Sequence, residues 1–177
     1  MESKKRINLM EFSEQGLSLS SGTPVSQGGT QYKILYQLSP FYLQGPPCYI
    51  RSFNNSNRNV CLEFPIENHL IYFRFFLTFD QFILNTTKHR SIISNDHQFQ
   101  SSCVFTETHV RLTTKVFEQS TLYFNEDQEP LDLSNFQEKD VVIPILYTKG
   151  LFLDAQQKLN YRWSIQQLIR VNRFVVS

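Results

Sequence analysis

The side chains that could do chemistry in this sequence are aromatic and basic residues interleaved along strand-like stretches. From His109 to Val116 the alternation is strict. His109, Arg111, Thr113 and Lys115 share one face, while Val110, Leu112, Thr114 and Val116 share the other. Nearer the C-terminus, Tyr161, Trp163 and Ile165 lie opposite Arg162, Ser164 and Gln166. Such a pattern can stack planar rings on aromatics while Lys and Arg follow phosphates, which is how nucleic-acid single strands are held. Each stacked base contributes roughly 1–3 kcal/mol, so a modest net charge suffices. The conservative reading is core, because most of the 16 Phe and 8 Tyr must be buried to build a domain. If Tyr161, Trp163 and Ile165 point inward, Arg162 is available to phosphate. With the faces reversed, Trp163 becomes a stacking platform.

Other chemistries find little support. There is no phosphate loop and no dinucleotide fingerprint, and Gly occurs only 6 times. His69, His89, His97 and His109 lack the paired spacing of a metal site. Glu126, Asp127 and Glu129 do not fit a calcium-binding loop. Cys48, Cys61 and Cys103 cannot all pair and form no CxxC motif, which argues against a disulfide scaffold or a zinc module. A Cys–His pair would need only to meet in space, but no residue pattern points to one. The expectation is a protein without metal or cofactor that is not an enzyme.

The elements that must position these residues follow from composition and period. A length of 177 residues with 41% hydrophobic residues suits one domain with a real core. Charged residues are 19%, and 17 Lys+Arg against 16 Asp+Glu leave a net charge of +1, too little to hold duplex DNA by bulk charge. That near-neutrality hides polarity: residues 125–140 carry a net of −5 and residues 141–177 a net of +4. The longest apolar stretch, Leu70 to Leu84, is interrupted by Arg74 and Asp80, so no membrane span is expected. No apolar run follows Lys4-Lys5-Arg6, so neither is a secretory signal, and the expected location is intracellular. Residues 1–30, rich in Ser, Gly, Gln and Thr, read as a flexible N-terminal arm ahead of a single domain at 31–177. Alternation predicts a strand over Tyr32–Leu38 and a hairpin of Cys48–Phe53 with Val60–Phe64 around an Asn-rich turn. A strand followed by a short helix is predicted over 67–87, and a loop over 88–100. Two long strands, Val141–Leu153 and Tyr161–Val171, flank the turn Asp154–Lys158. Short strands, long loops and one helix suggest a barrel or a sandwich.

From Asp132 to Val171 the chain resembles the closing segment of a family of single-stranded DNA-binding proteins of short-tailed phages, with relatives in large eukaryotic DNA viruses. The residues that carry the resemblance are Val141 to Leu146, Lys149-Gly150-Leu151-Phe152, and Trp163 to Val171 with Gln166, Gln167 and Arg170. The strand Val110–Val116, ahead of an acidic stretch, sits where that family places a barrel strand. The resemblance implies a mainly β fold: an OB-like five-stranded barrel with one helix and long loops. It also implies sequence-tolerant binding of single-stranded DNA in viral replication and recombination. The phage branch ends in an acidic tail that recruits replication partners, whereas this sequence ends Arg173-Phe174-Val175-Val176-Ser177, so those tail contacts are not carried over.

The candidate nucleic-acid contacts are Arg74, Arg111, Lys115, Tyr147, Lys149, Phe152, Arg162, Trp163 and Arg170. The partners expected are single-stranded DNA, replication proteins and further copies of the chain, at a viral replication site or in the host nucleus, with no membrane. Two other readings compete. One is a structural β-sandwich, a capsid or assembly protein without nucleic-acid binding; the other is a protein–protein adaptor on a similar barrel. The position of the positive charge discriminates. A groove uniting Arg111, Lys115, Lys149 and Arg162 supports DNA, and scattered charge beside a broad apolar patch supports assembly.

Overall fold

The computed structural model describes residues 3–117 and 119–171. The terminal Arg173–Ser177, and with it the expectation about a tail, lies outside the described residues. Five strands close into a ring: β1 (Cys48–Asn54), β2 (Asn59–Pro65), β3 (His109–Lys115), β4 (Val141–Leu153) and β5 (Leu159–Arg170). The order around the ring is β1-β2-β3-β5-β4 and back to β1; the β3–β5 pair is parallel and the others antiparallel. This is the OB-like barrel that the family resemblance implied, with one α-helix among the described residues and additional strands outside the ring.

Alternation builds the barrel interior. Val60, Leu62 and Phe64 on β2 and Val110, Leu112 and Thr114 on β3 are all buried, and their neighbours point outward. The β1–β2 hairpin turns where expected. Asn54 Oδ1 accepts from the Ser56 amide at 3.0 Å, Asn57 Oδ1 accepts from the Asn59 amide at 3.1 Å, and Arg58 takes a φ of +57°. The β4–β5 hairpin is the longest pairing and carries register shifts at Ile145/Leu146 and at Thr148/Leu151. Bulges of this kind let a long strand curl round a closed barrel.

Two sequence expectations are corrected. Residues 67–87 hold no strand: one helix, α1, runs the 20 residues Leu70–His89. Phe75, Phe76, Phe79, Ile83 and Thr87 recur at three- and four-residue steps and all are buried, so tertiary packing settles a period that the aromatic composition left ambiguous. Tyr32–Leu38 is two short strands, Thr30–Tyr32 and Ile34–Tyr36, which pair with different partners. The chain breaks at Lys33, whose carbonyl accepts from the Ser20 amide at 2.9 Å and whose amide donates to Ser20 Oγ at 2.8 Å. It then turns at Gln37 and Leu38, both with positive φ.

Of the described residues 3–30, within the stretch expected as an arm, several form short strands along the ring. Lys5–Arg6 runs parallel to the strand Phe41–Gln44, which itself pairs with the middle of β4. Thr23–Pro24 and Thr30–Tyr32 form a hairpin whose second strand pairs with the end of β4. Leu17–Leu19 pairs with Ile34–Tyr36, and Ile7 and Leu17 are buried.

The core centres on Trp163, which is fully buried. Its ring lies 4.8 Å from Phe79, 5.7 Å from Phe76, 6.1 Å from Phe75 and 6.2 Å from Phe41. The aromatic face of α1 thus seals the interior by packing on β5. The Trp163 Nε1–H has no hydrogen-bond partner among the described residues, and the indole packs against these four rings. A polar tie joins the helix to the barrel: the buried Asp80 of α1 accepts from the Tyr161 hydroxyl of β5 and from Ser101 Oγ. Burial raises the Asp80 pKa above its ordinary 3.8, and the two hydrogen bonds offset only part of that.

Two outcomes follow for stability. Trp163→Ala should cost roughly 3–5 kcal/mol in denaturant melts. At Asp80 the raised folded pKa means that its contribution is present below the unfolded value and is lost as pH rises through the folded one. Asp80→Asn should therefore equal or exceed the wild type in unfolding free energy at pH 7, with the gap closing toward pH 4. Asp80→Ala leaves the Tyr161 hydroxyl without its acceptor and should cost about 1–3 kcal/mol.

Candidate nucleic-acid interface

The inward packing of Trp163 decides what faces out on β5. Tyr161, Trp163 and Ile165 are buried, and Arg162 and Gln166 are exposed. On β3 the outward set is His109, Arg111, Thr113 and Lys115. Strand pairing then aligns a row across the ring: Asn59 on β2 is opposite Lys115 on β3, Lys115 is opposite Ser164 on β5, and Ser164 is opposite Tyr147 on β4.

This row opens into a cleft of about 680 Å3 between β3, the start of β5, the bend of β4 and the Thr23–Tyr32 hairpin. Lys115, Lys149 and Arg162 supply its positive charge, and Phe117 and Phe152 line it as aromatics. Among the described residues, no acid lines it. The Lys149 ammonium lies 3.8 Å from the centroid of the Phe117 ring, with Lys115 at 5.8 Å from the same ring. Next to it, Lys4 Nζ lies 3.5 Å from the Tyr147 ring. Burial lowers the Lys4 pKa, and the like charge of Lys149 lowers it further. Arg162 Nη1 donates to Asn59 Oδ1 at 2.9 Å, which fixes its guanidinium at the cleft's edge.

The bend in β4 is what brings Lys149 to this place. Gly150 adopts a φ of +115°, and a Cβ there would come 2.4 Å from the Tyr32 carbonyl oxygen. The Thr23–Tyr32 hairpin can approach β4 this closely only because the side chain is missing. Gln31 Nε2 donates to the Lys149 carbonyl at 2.9 Å and pins the same turn.

The sequence-derived candidates divide into groups. Lys115, Lys149, Phe152 and Arg162 meet in the cleft, with Tyr147 adjoining it on the strand-pairing row. Arg111 lies elsewhere on the outward face, with its Nε donating to Glu63 Oε2 at 2.8 Å. Arg74 is exposed on α1 and does not line the cleft. Arg170 sits eight residues from Arg162, roughly 26 Å along β5. There its Nη1 donates to the Asn135 carbonyl at 2.8 Å. Trp163 is in the core. Sequence reasoning missed Phe117, which continues the outward period of β3 beyond Lys115. It also missed Lys4 and the Thr23–Tyr32 hairpin, which carry no local signal. A separate cavity of about 470 Å3, between residues 6–10 and the first turn of α1, is lined mainly by apolar side chains around Arg6.

No protein-family model matches the sequence, and no curated protein matches it. Solved structures do share its fold. The single-stranded DNA-binding protein from bacteriophage Enc34 matches over 85% of this chain and 89% of that one, at a TM-score of 0.53 and 10% identity. The same phage protein in complex with ssDNA matches over 84% and 93%, at 0.52 and 9% identity. Its C-terminal truncation matches over 91% and 98%, at 0.50 and 10% identity. At such identities the likeness is one of fold.

Gly150→Ala tests the geometry of the cleft. It forces a side chain into a positive-φ position against backbone, and should cost about 1–3 kcal/mol from conformational strain, with a further steric cost. A melting temperature equal to the wild type would show that the bend does not need glycine.

Proposed function

We propose that this chain binds single-stranded DNA with little sequence preference, through the cleft formed by β3, β4, β5 and the Thr23–Tyr32 hairpin. The observation that carries this reading is the grouping of Lys115, Lys149 and Arg162 around Phe117 and Phe152 with no acid among the described lining residues. The cations would follow phosphates and the rings would receive unstacked bases, which any sequence can offer and a duplex cannot. The fold shared with a phage single-stranded DNA-binding protein, one structure of which is a complex with ssDNA, supports the same reading. On this reading Lys115, Tyr147, Lys149, Phe152 and Arg162 are contacts, Phe117 joins them, and Trp163 acts only by holding β5 in register. The activity is binding without catalysis. Its place is the replication or recombination of viral or virus-like DNA, with replication proteins and further copies of the chain as partners.

The capsid-type alternative has less to rest on. A jelly roll packs eight strands in two sheets, whereas here five strands close on themselves. Of the four cations of the expected groove, Lys115, Lys149 and Arg162 also gather in one cleft, while Arg111 lies outside it.

The test is fluorescence anisotropy with a short labelled oligonucleotide, single-stranded against duplex, over a salt series. Micromolar or tighter binding to the single strand is expected, weakened by salt and clearly stronger than to duplex. Lys115→Ala with Lys149→Ala should flatten the log–log salt dependence by roughly 1.4, about 0.7 per phosphate contact. Phe117→Ala should weaken binding by roughly 1–3 kcal/mol, the contribution of one stacked base. Equal affinity for both DNA forms, or no binding at low salt, would remove the proposal.

A further inference from the structure

Beyond the cleft, on the same outward face of the ring, Arg51 of β1 and Arg111 of β3 converge on Glu63, which lies between them on β2. A single carboxylate oxygen, Oε2, accepts from Arg51 Nη1 at 2.7 Å and from Arg111 Nε at 2.8 Å. The other, Oε1, lies 3.9 Å from His109 Nε2. Glu63 is the one acid in β1, β2 and β3, and it points out of the barrel between the inward-facing Leu62 and Phe64. Exposed ion pairs of this kind add little to stability. What Glu63 does is electrostatic: it holds together two guanidinium groups that would otherwise repel. Burial raises its pKa, but the hydrogen bonds and charges of Arg51 and Arg111 outweigh that and keep it below the usual carboxylate range.

Two arginines focused on one oxygen are an anion station, because the guanidinium fork suits phosphate as well as carboxylate. Two neighbours give the station a nucleotide character. Tyr49, the cross-strand partner of Glu63, is 47% exposed and offers an open ring beside it. Arg111 also shares the outward face of β3 with Lys115, four residues away or roughly 13 Å, so the station extends the line of the cleft.

Resting on the single-stranded DNA reading, we infer that Glu63 is a built-in substitute for a phosphodiester. It fills a phosphate station made by Arg51 and Arg111, withholds both from nucleic acid, and limits affinity to what the cleft supplies. The cleft binds; the station stays latent while the carboxylate occupies it.

Glu63→Gln keeps the shape and removes the charge. It should tighten binding to a labelled single-stranded oligonucleotide about 5- to 10-fold at low salt and steepen the log–log salt dependence by roughly 1.4, two contacts at about 0.7 each. The triple change Glu63→Gln, Arg51→Ala, Arg111→Ala should return both affinity and slope to near the wild type. Glu107→Gln, which removes one charge from the exposed turn before β3, should change affinity far less. A gain from Glu107→Gln equal to that from Glu63→Gln would reduce the effect to bulk charge and overturn the inference. So would a folded Glu63→Gln protein with unchanged or weaker binding, or a triple variant with a slope well below the wild type.

A second measurement needs no DNA: titration with inorganic tripolyphosphate, read on the arginine Nε–H resonances. Arg51 and Arg111 should shift in Glu63→Gln and stay still in the wild type. Shifts of both in the wild type would show the station to be open and would overturn the inference even if Glu63→Gln failed to fold. If the wild type bound no single-stranded DNA yet the Glu63→Gln resonances shifted, the station would stand and the nucleic-acid reading would fall.

Discussion

The burial of Trp163 against Phe75, Phe76 and Phe79 fixes the register of β5, and the outward surface of the barrel depends on that register. Side chains on a strand alternate with a period of two, so a slip of one residue would turn Trp163 out and Arg162 in. The parallel pairing of Thr114 with Trp163 and of Lys115 with Ser164 then sets β3 against β5. The antiparallel pairing of Lys115 with Asn59 carries the alignment to β2. An aromatic contact inside the core thus decides which cations share the cleft. The polar tie from Asp80 to Tyr161 and Ser101 points the same way, since it anchors α1 to β5 two residues before Trp163.

A second constraint acts on β4, which is 13 residues long and needs partners along its whole outer edge. The ring strand β1 covers only its start, at Val141 and Val142. Phe41–Gln44 covers its middle and Thr30–Tyr32 its end. The N-terminal strands therefore satisfy backbone groups that a bare five-stranded ring would leave open. The same arrangement brings the Thr23–Tyr32 hairpin against Gly150 and makes it one wall of the cleft.

These two constraints explain what could be read in the sequence and what could not. The β3 alternation, the Asn-rich hairpin and the long closing strands were legible because their signal is local and periodic. The single helix Leu70–His89 was not, since short runs of Phe and Tyr serve a buried strand as well as a buried helix. The places of Lys4 and the Thr23–Tyr32 hairpin were hidden because pairings across more than a hundred residues leave no local mark. At the site, Lys149 and Phe152 were marked by the family resemblance of the Lys149–Phe152 segment, whereas Lys115 and Arg162 could be named from residue type and alternation. Glu63 could not, for nothing in Val60–Phe64 announces that Arg51 and Arg111 will flank it. The contact of Arg51 and Arg111 with Glu63 exists only once three strands lie side by side.

A net charge of +1 says little about such a surface, because what matters is where the charges sit along β5. One end of that strand presents Arg162 to the cleft, beside Lys115 and Lys149. The other end pairs with Leu122–Asn125, from which the acidic stretch begins. There Asn125 Nδ2 donates to Glu129 Oε2 at 2.7 Å, and Arg170 is engaged by the Asn135 carbonyl. The two ends are separated by roughly 26 Å, several screening lengths at physiological salt. A phosphate in the cleft therefore experiences the local cations and little of the acidic stretch. The twelve-residue β5 sets this distance between the two charged ends, and the binding proposed above would draw on it.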